Sequence, residues 1–221
     1  MSEVLDNPSS VMARVGLLLE PFRDADGLTL TELCRRTGFP RSSAHRMLLQ
    51  LVRVGWMRRT GTTYRLGPKI VELGALAQDH DRIHSAALPA MYDLHRETGL
   101  VVHLSVLDSD QVVYLEKVSG MQVTDNTWAG QRRAAEETVA GSAMLARRDG
   151  THSAPAIGGG CPLVDGVVQG GECFRHVVAA FAAGNGEIAA LSLAGPAEAI
   201  PEDAARRVRR EADRLEALLT A

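Results

Sequence analysis

The densest chemistry in the sequence is Arg41-Ser-Ser-Ala-His-Arg46, which sets two guanidiniums, two hydroxyls and an imidazole within six residues. A guanidinium can span O6 and N7 of a guanine with two parallel hydrogen bonds, and hydroxyls meet base edges or phosphate oxygens. Downstream, Arg58, Arg59, Tyr64 and Arg65 flank a Thr60-Gly-Thr62 turn, where a hairpin would carry them to a phosphate backbone or a minor groove. With Thr29, at the start of the preceding helix, the candidate DNA-contacting set is Thr29, Arg41, Ser42, Ser43, His45, Arg46, Arg58, Arg59, Tyr64 and Arg65. Arg41 and Arg46 both have the chemistry to read a base, and their spacing does not choose between them.

Charge points the same way. Residues 1–70 hold 11 Lys and Arg against 6 Asp and Glu, whereas residues 71–221 hold 13 against 21. From Leu28 to Lys69 there are nine basic residues and a single acid, Glu32. A basic module on an acidic body directs a polyanion to the first third of the chain. No run of 18 apolar residues and no leader-like N-terminal segment is present, so the expected location is the cytoplasm, away from any membrane.

Reactive and ligating groups elsewhere are sparse. Cys173-x-x-His176, with Cys161 and His152 upstream, supplies four possible soft or borderline ligands, but their spacing matches no standard zinc site. Three cysteines in all are too few and scattered for a disulfide framework, and Cys34 reads as a small apolar helix residue. There is no Gly-x-Ser-x-Gly elbow, phosphate loop, dinucleotide fingerprint or His-Glu-x-x-His pair. The adjacent Glu136 and Glu137 would diverge on a helix. An enzyme is not expected, nor a metal or other cofactor.

The basic cluster needs a frame, and the sequence provides one. Val11, Val15, Leu18, Leu19 and Phe22 share one helical face. Thr29 and Glu32 have capping-box spacing at the head of a second helix, with Leu28 and Leu33 as a hydrophobic staple. That helix stops at Thr37-Gly38. Pro40 opens a third, from Arg41 to about Val54, burying Ala44, Met47, Leu48, Leu51 and Val52. Gly55 ends it, and residues 56–59 and 63–66 read as a short hairpin. Two helices joined by Gly38-Phe-Pro40, followed by a basic hairpin, make a winged helix-turn-helix.

Beyond it the pattern from Pro68 to Thr98 is helical, with stripes of Ile70, Leu73, Ala77 and of Leu88, Met91, Leu94, and a break expected before Pro89. The period then drops to two in 101–107 and 111–118, around an Asp108-Ser-Asp110 turn. Residues 136–146 return to helix. Residues 150–171 hold seven glycines and read as a loop. Residues 174–181 and 187–193 form a strand pair through Asn185-Gly186, and 202–219 close the chain as an amphipathic helix with Val208, Ala212, Leu215 and Leu219 inward. The fold class is α+β, an N-terminal winged helix-turn-helix before a mixed domain with an antiparallel sheet.

The run from Leu28 to Leu48, the wing Tyr64-Arg-Leu-Gly-Pro-Lys69, Glu72-Leu-Gly74 and the closing Gly186-Glu-Ile-Ala-Ala-Leu-Ser-Leu-Ala-Gly-Pro196 resemble the IclR family of bacterial transcription regulators. The resemblance implies a DNA-binding domain over 1–67, a linker helix over 68–82 and a GAF-like effector-binding domain over 83–221. It also implies a homodimer or tetramer on double-stranded operator DNA, with repression the expected sign. The effector it implies is a small organic acid, held by Asp125, Val139, Ala140, His176, Ser192 and Ala194. The sequence departs from the family pattern at Ala134 (usually Pro), Ser142 (usually Lys) and His176 (usually Cys). A shortened Gly-rich arm over 147–173 replaces a helical stretch. The alternative is a constitutive DNA-binding factor, or a thiol or metal sensor using the truncated domain.

Overall fold

A computed structural model describes residues 10–120, 126–150, 156–159 and 174–221. The chain divides into two compact units, residues 1–77 and 78–221.

In the first unit, α1 (Val11–Leu19) is capped by Ser10 and runs into a 3-10 turn over Glu20–Arg23. The short strand β1 (Leu28–Thr29) leads into α2 (Leu30–Thr37), α3 (Arg41–Arg53), β2 (Met57–Thr60), β3 (Thr63–Leu66) and α4 (Pro68–Asp79). The capping box forms as its spacing requires: the Thr29 hydroxyl accepts the Glu32 N–H, and the Glu32 carboxylate accepts the Thr29 N–H at 2.8 Å. Gly38 takes a left-handed conformation (φ 71°) and returns its N–H to the Cys34 carbonyl, ending α2 where Phe39 turns inward. Leu18, Phe22, Leu28, Leu33, Ala44, Leu48, Leu51 and Met57 meet in one core.

Three expectations change here. β1 adds a third strand against β3, in the order β1-β3-β2. Val11, placed on the inner face of its helix, is 66% exposed, because only the second half of α1 reaches the core. The stripe on α4 finds no cover among the described residues: α4 has no buried residue, and Leu73 and Ala77 are exposed.

The boundary falls near the end of α4, so the second unit takes in Gln78 and Asp79 before α5 (Arg82–Thr98), which is capped by Asp81, whose carboxylate accepts the His84 N–H at 2.7 Å. The helical pattern breaks at this cap, and Pro89 lies inside an unbroken helix. Pro89 is on the exposed side, where water can satisfy the carbonyl it leaves without a donor, while Ala87, Met91 and Leu94 hold the other side in the core.

Six strands then form one antiparallel sheet in the order β6-β5-β4-β9-β8-β7. These are β4 (Val101–Asp108), β5 (Gln111–Val118), β6 (Arg132–Ala134), β7 (Ala156–Gly159), β8 (Phe174–Ala182) and β9 (Ile188–Pro196). α6 (Val139–Arg148) lies between β6 and β7 in the chain, and α7 (Ala204–Thr220) closes it. The β8–β9 turn carries positive φ at both Asn185 (52°) and Gly186 (80°), as a two-residue turn matching strand twist demands. β7 corrects the reading of 150–171 as loop throughout: four of its residues pair with β8, since backbone hydrogen bonds suffice for an edge strand.

The two faces of this sheet differ. One carries Val102, Leu104, Val177, Ala179, Phe181, Leu191 and Leu193 under α5 and α7. The other meets α6 through Val112, Tyr114, Val178, Ala180 and Ala190, and bears the polar residues described next.

Candidate functional site

The nucleic-acid surface is built on α3. Ala44, Met47, Leu48 and Leu51 face the core, so residues four, three and four apart on the far side, Ser42, Arg46, Leu49 and Arg53, form an exposed ridge. Ser43 and His45 flank it, half-buried. Arg41 sits off the ridge and donates from Nη1 to the Thr31 hydroxyl of α2 at 3.0 Å. Pro40 offers no side-chain cap, so the first N–H groups of α3 keep their affinity for an anion.

On the wing, Arg58 of β2 and Arg65 of β3 are direct cross-strand partners. Like charges opposite each other destabilise a hairpin, and a bound polyanion reverses that sign. Arg59 is spent locally: its Nε donates to the Gly61 carbonyl at 2.8 Å, and its guanidinium lies 5.5 Å from the Tyr64 ring centroid.

Two residues of the expected contact set have other work. Tyr64 is 1% exposed and belongs to the core; alternation along β3 turns it inward while Thr63 and Arg65 face outward, so its side chain is not available to DNA. The Thr29 hydroxyl donates to the Glu32 carboxylate at 2.7 Å while accepting its N–H, so the capping box occupies it. The Glu32 pKa is lowered, first by the hydrogen bond from the Thr29 N–H and then by that from its hydroxyl.

The second candidate site is the α6 side of the sheet. The strand register puts Lys117, His103, Ser192 and Val178 in one row across β5, β4, β9 and β8, and Val101, Ala194 and His176 in the next. His176, Ser192 and Ala194 thus lie together on this face. Ser192 and Ala194 are buried, and His176 is half-buried. Val139 and Ala140 open α6 beside this face, and their helix is capped by the Thr138 hydroxyl, which accepts the Gly141 N–H at 2.9 Å. Asp125 lies outside the described residues, as do His152, Cys161 and Cys173 of the possible thiol or metal set. Among the described residues no group of three or more His, Cys, Asp or Glu is placed to hold a metal.

Sequence reasoning missed the neighbours that give this face its chemistry. His103 is 1% exposed, and its Nε2 is hydrogen-bonded to the Thr127 hydroxyl at 2.7 Å. Lys117 Nζ donates to the Thr127 carbonyl at 2.9 Å, Ser105 is buried beside them, and Tyr114 meets the His103 ring edge-on at 5.4 Å. The alternation Val101-Val-His-Leu-Ser105 was visible, but polar residues opposite an apolar face usually mean solvent, and only the register buries them. A cleft of about 360 Å³ between α5 and α7 lies elsewhere; its walls, including Asp93, Glu97, Arg210 and Glu211, are ion-paired among themselves or with neighbours on those helices.

Comparison with known proteins places both units. Residues 11–61 match the IclR helix-turn-helix domain, and residues 75–159 match the bacterial transcriptional regulator IclR C-terminal domain. The regulator KipR of Bacillus subtilis is 34% identical over 119 residues, 53% of this chain and 48% of KipR. KdgR of Escherichia coli is 33% identical over 148 residues, 65% of this chain and 56% of KdgR. The chain thus spans about half the length of these curated relatives. An IclR homologue from Microbacterium hydrocarbonoxydans, solved with 4-hydroxybenzoate, shares the fold at a TM-score of 0.75 and 23% identity over 95% of this chain and 99% of its own. An IclR-family regulator from Brucella abortus superposes at 0.73 and 19% identity over 99% and 96%. With both the helix-turn-helix and the C-terminal models of the family matching along residues 11–159, the chain belongs to the IclR family.

Proposed function

We propose that this protein is a sequence-specific DNA-binding transcription regulator, a repressor, whose second unit senses a small organic acid. The observation that carries the first half is the α3 ridge: an exposed, unacidic row of Ser42, Arg46, Leu49 and Arg53, flanked by a wing with two facing arginines. A row of this kind fits a major groove, and the paired arginines fit the phosphates beside it. The relatives named above as transcriptional regulators support the same reading.

A dimer is the working unit, because one recognition helix reads only a few base pairs. The uncovered apolar residues Val71, Leu73 and Leu76 of α4, with Val11 and Met12 of α1, are its contact surface. No helix among the described residues is long and apolar enough to cross a membrane, which accords with action in the cytoplasm.

Sensing rests on the row Lys117, His103 and Ser192, with His176 and Ala194 in the next row. A cation, imidazoles and a hydroxyl against an apolar sheet suit a carboxylate with a small carbon frame. Two measurements test the proposal. Footprinting of the purified protein on genomic DNA should give protected palindromic sites whose occupancy falls steeply with salt. A thermal-shift screen of organic acids should find ligands that stabilise the wild type and not Ser192→Ala or His176→Ala. Equal stabilisation of all three would put the ligand elsewhere, and a screen with no ligand would favour a constitutive DNA-binding factor.

A further inference from the structure

Arg41 and Arg46 lie five residues apart on one helix, yet the structure gives them different surroundings. Arg46 stands on the outward ridge of α3, is exposed, and has no hydrogen-bond or ion-pair partner among the described residues. Arg41 lies at the first position of the helix, off that ridge, with its guanidinium drawn toward α2 by the Thr31 hydroxyl. α2 is the helix that crosses the backbone when α3 enters the groove. An arginine tethered to it is held at the groove's edge, where phosphates lie.

Leu49 is the other anomaly. It is 38% exposed on the same ridge, one turn beyond Arg46, where solvent alone would favour a polar residue. The major groove offers an apolar partner, the C5-methyl of thymine. Three residues of helix advance roughly 4.5 Å, slightly more than one base-pair rise of about 3.4 Å, so Arg46 and Leu49 address neighbouring base pairs.

We infer that Arg46 and Leu49 are the specificity-determining pair, Arg46 reading a guanine and Leu49 the methyl of a thymine in the adjacent or next base pair, while Arg41 clamps a phosphate and carries no sequence information. The inference rests on the DNA-binding reading above. It makes the half-site a guanine-thymine combination, with the thymine on either strand.

A preferred duplex is first selected from random sequence with the wild-type protein. Binding of wild type, Arg41→Ala, Arg46→Ala and Leu49→Ala is then measured by fluorescence anisotropy on every single-base variant of a half-site, over a range of salt. All three side chains are exposed or at the helix end, and unchanged melting temperatures confirm that the variants fold.

Arg46→Ala should lose a preference of about 5- to 150-fold at one G·C pair and keep the others. Replacing the neighbouring thymine by deoxyuridine should weaken the wild type about fourfold, the worth of one buried methyl, and leave Leu49→Ala unaffected. Arg41→Ala should weaken every duplex by one common factor and reduce the slope of log K against log salt by about 0.9. Loss of base preference in Arg41→Ala, a uniform loss in Arg46→Ala, or equal deoxyuridine sensitivity in wild type and Leu49→Ala would overturn the assignment. A wild type that selects no sequence would instead overturn the DNA-binding reading itself, and the assignment with it.

Discussion

Gly141 offers the sharpest test of the second unit, because two well-known effects oppose each other there. It lies in the first turn of α6 with ordinary helical geometry, so helix propensity alone makes Gly141→Ala stabilising by up to ~1 kcal/mol. The packing says otherwise. A methyl built at Gly141 would stand 2.1 Å from the Ala135 carbonyl oxygen, 2.5 Å from its Cα and 2.6 Å from its carbonyl carbon. The first distance falls about 1.3 Å short of an ordinary 3.4 Å contact. The obstructing atoms are backbone of a fully buried residue, so no side chain can swing aside. Overpacking costs about 1–3 kcal/mol, and rigid obstruction belongs at the upper end, leaving a net loss of about 2 kcal/mol.

With a urea slope of ~2 kcal/mol per molar, the unfolding midpoint of the second unit should fall by about 1 M. Trp128 fluorescence in a Trp56→Phe background follows that unit without interference from the first. Relief of the clash would lift α6 from Val178, Ala180 and Ala190, so ligand-induced stabilisation should weaken along with the midpoint. A midpoint unchanged or raised in Gly141→Ala would mean that propensity wins, and that the approach of α6 to Ala135 is not as close as described.

Thr29→Ala should destabilise the first unit by about 1 kcal/mol in thermal melts at neutral pH, the usual worth of an N-cap. Because the Glu32 pKa is lowered, the acid's contribution is present above its unfolded pKa and is lost as pH falls through the folded value; the penalty of Thr29→Ala should therefore shrink in acid, and a pH-independent difference would refute the coupling. Arg58→Ala should weaken binding to all duplexes alike, yet leave the free protein no less stable, since it removes a charge facing Arg65; a clear drop in melting temperature would contradict this. Val71→Glu with Leu76→Glu on α4 should turn a sedimenting dimer into a monomer, and a wild type already monomeric at micromolar concentration while binding a palindrome without cooperativity would count against the dimer.

What could be read from the sequence was whatever is decided locally. The Thr29–Glu32 box, the Gly38 stop and the Asn185-Gly186 turn each depend on residues within a few positions, and each formed where its spacing required. The longer strands announced themselves by alternation. β1 and β6, of two and three residues, are too short to show a period, and β7 is half glycine. They exist because a neighbouring strand offers hydrogen bonds, which is a tertiary fact. Pro89 misled for the same reason, since the core keeps α5 continuous through it at a cost its own sequence would not bear. In the sites, the outward direction of Arg46 follows from helical period, whereas Thr31 beside Arg41 needs α2 and α3 to be placed. The burial of Tyr64, His103 and Ser105 likewise depends on which surfaces meet.

Strand β5 shows how one extra residue organises the second unit. Against β4, Tyr114 pairs with Ser105 and Glu116 with Leu104, leaving Leu115 between them without a partner. Such a bulge reverses the alternation beyond it. Tyr114 and Lys117 therefore both point to the α6 side, although three residues apart they would otherwise lie on opposite faces. Glu116 turns to the other side, where its carboxylate meets His84 of α5 at 3.0 Å. Without the bulge, Lys117 would enter the apolar layer under α5 and α7, and Glu116 would sit among His103 and Ser192. The bulged Leu115 also has a carbonyl free to accept the Gln78 side-chain amide at 3.0 Å, near the end of α4. The same inserted residue thus sets the cation on the polar face and the carboxylate beside His84.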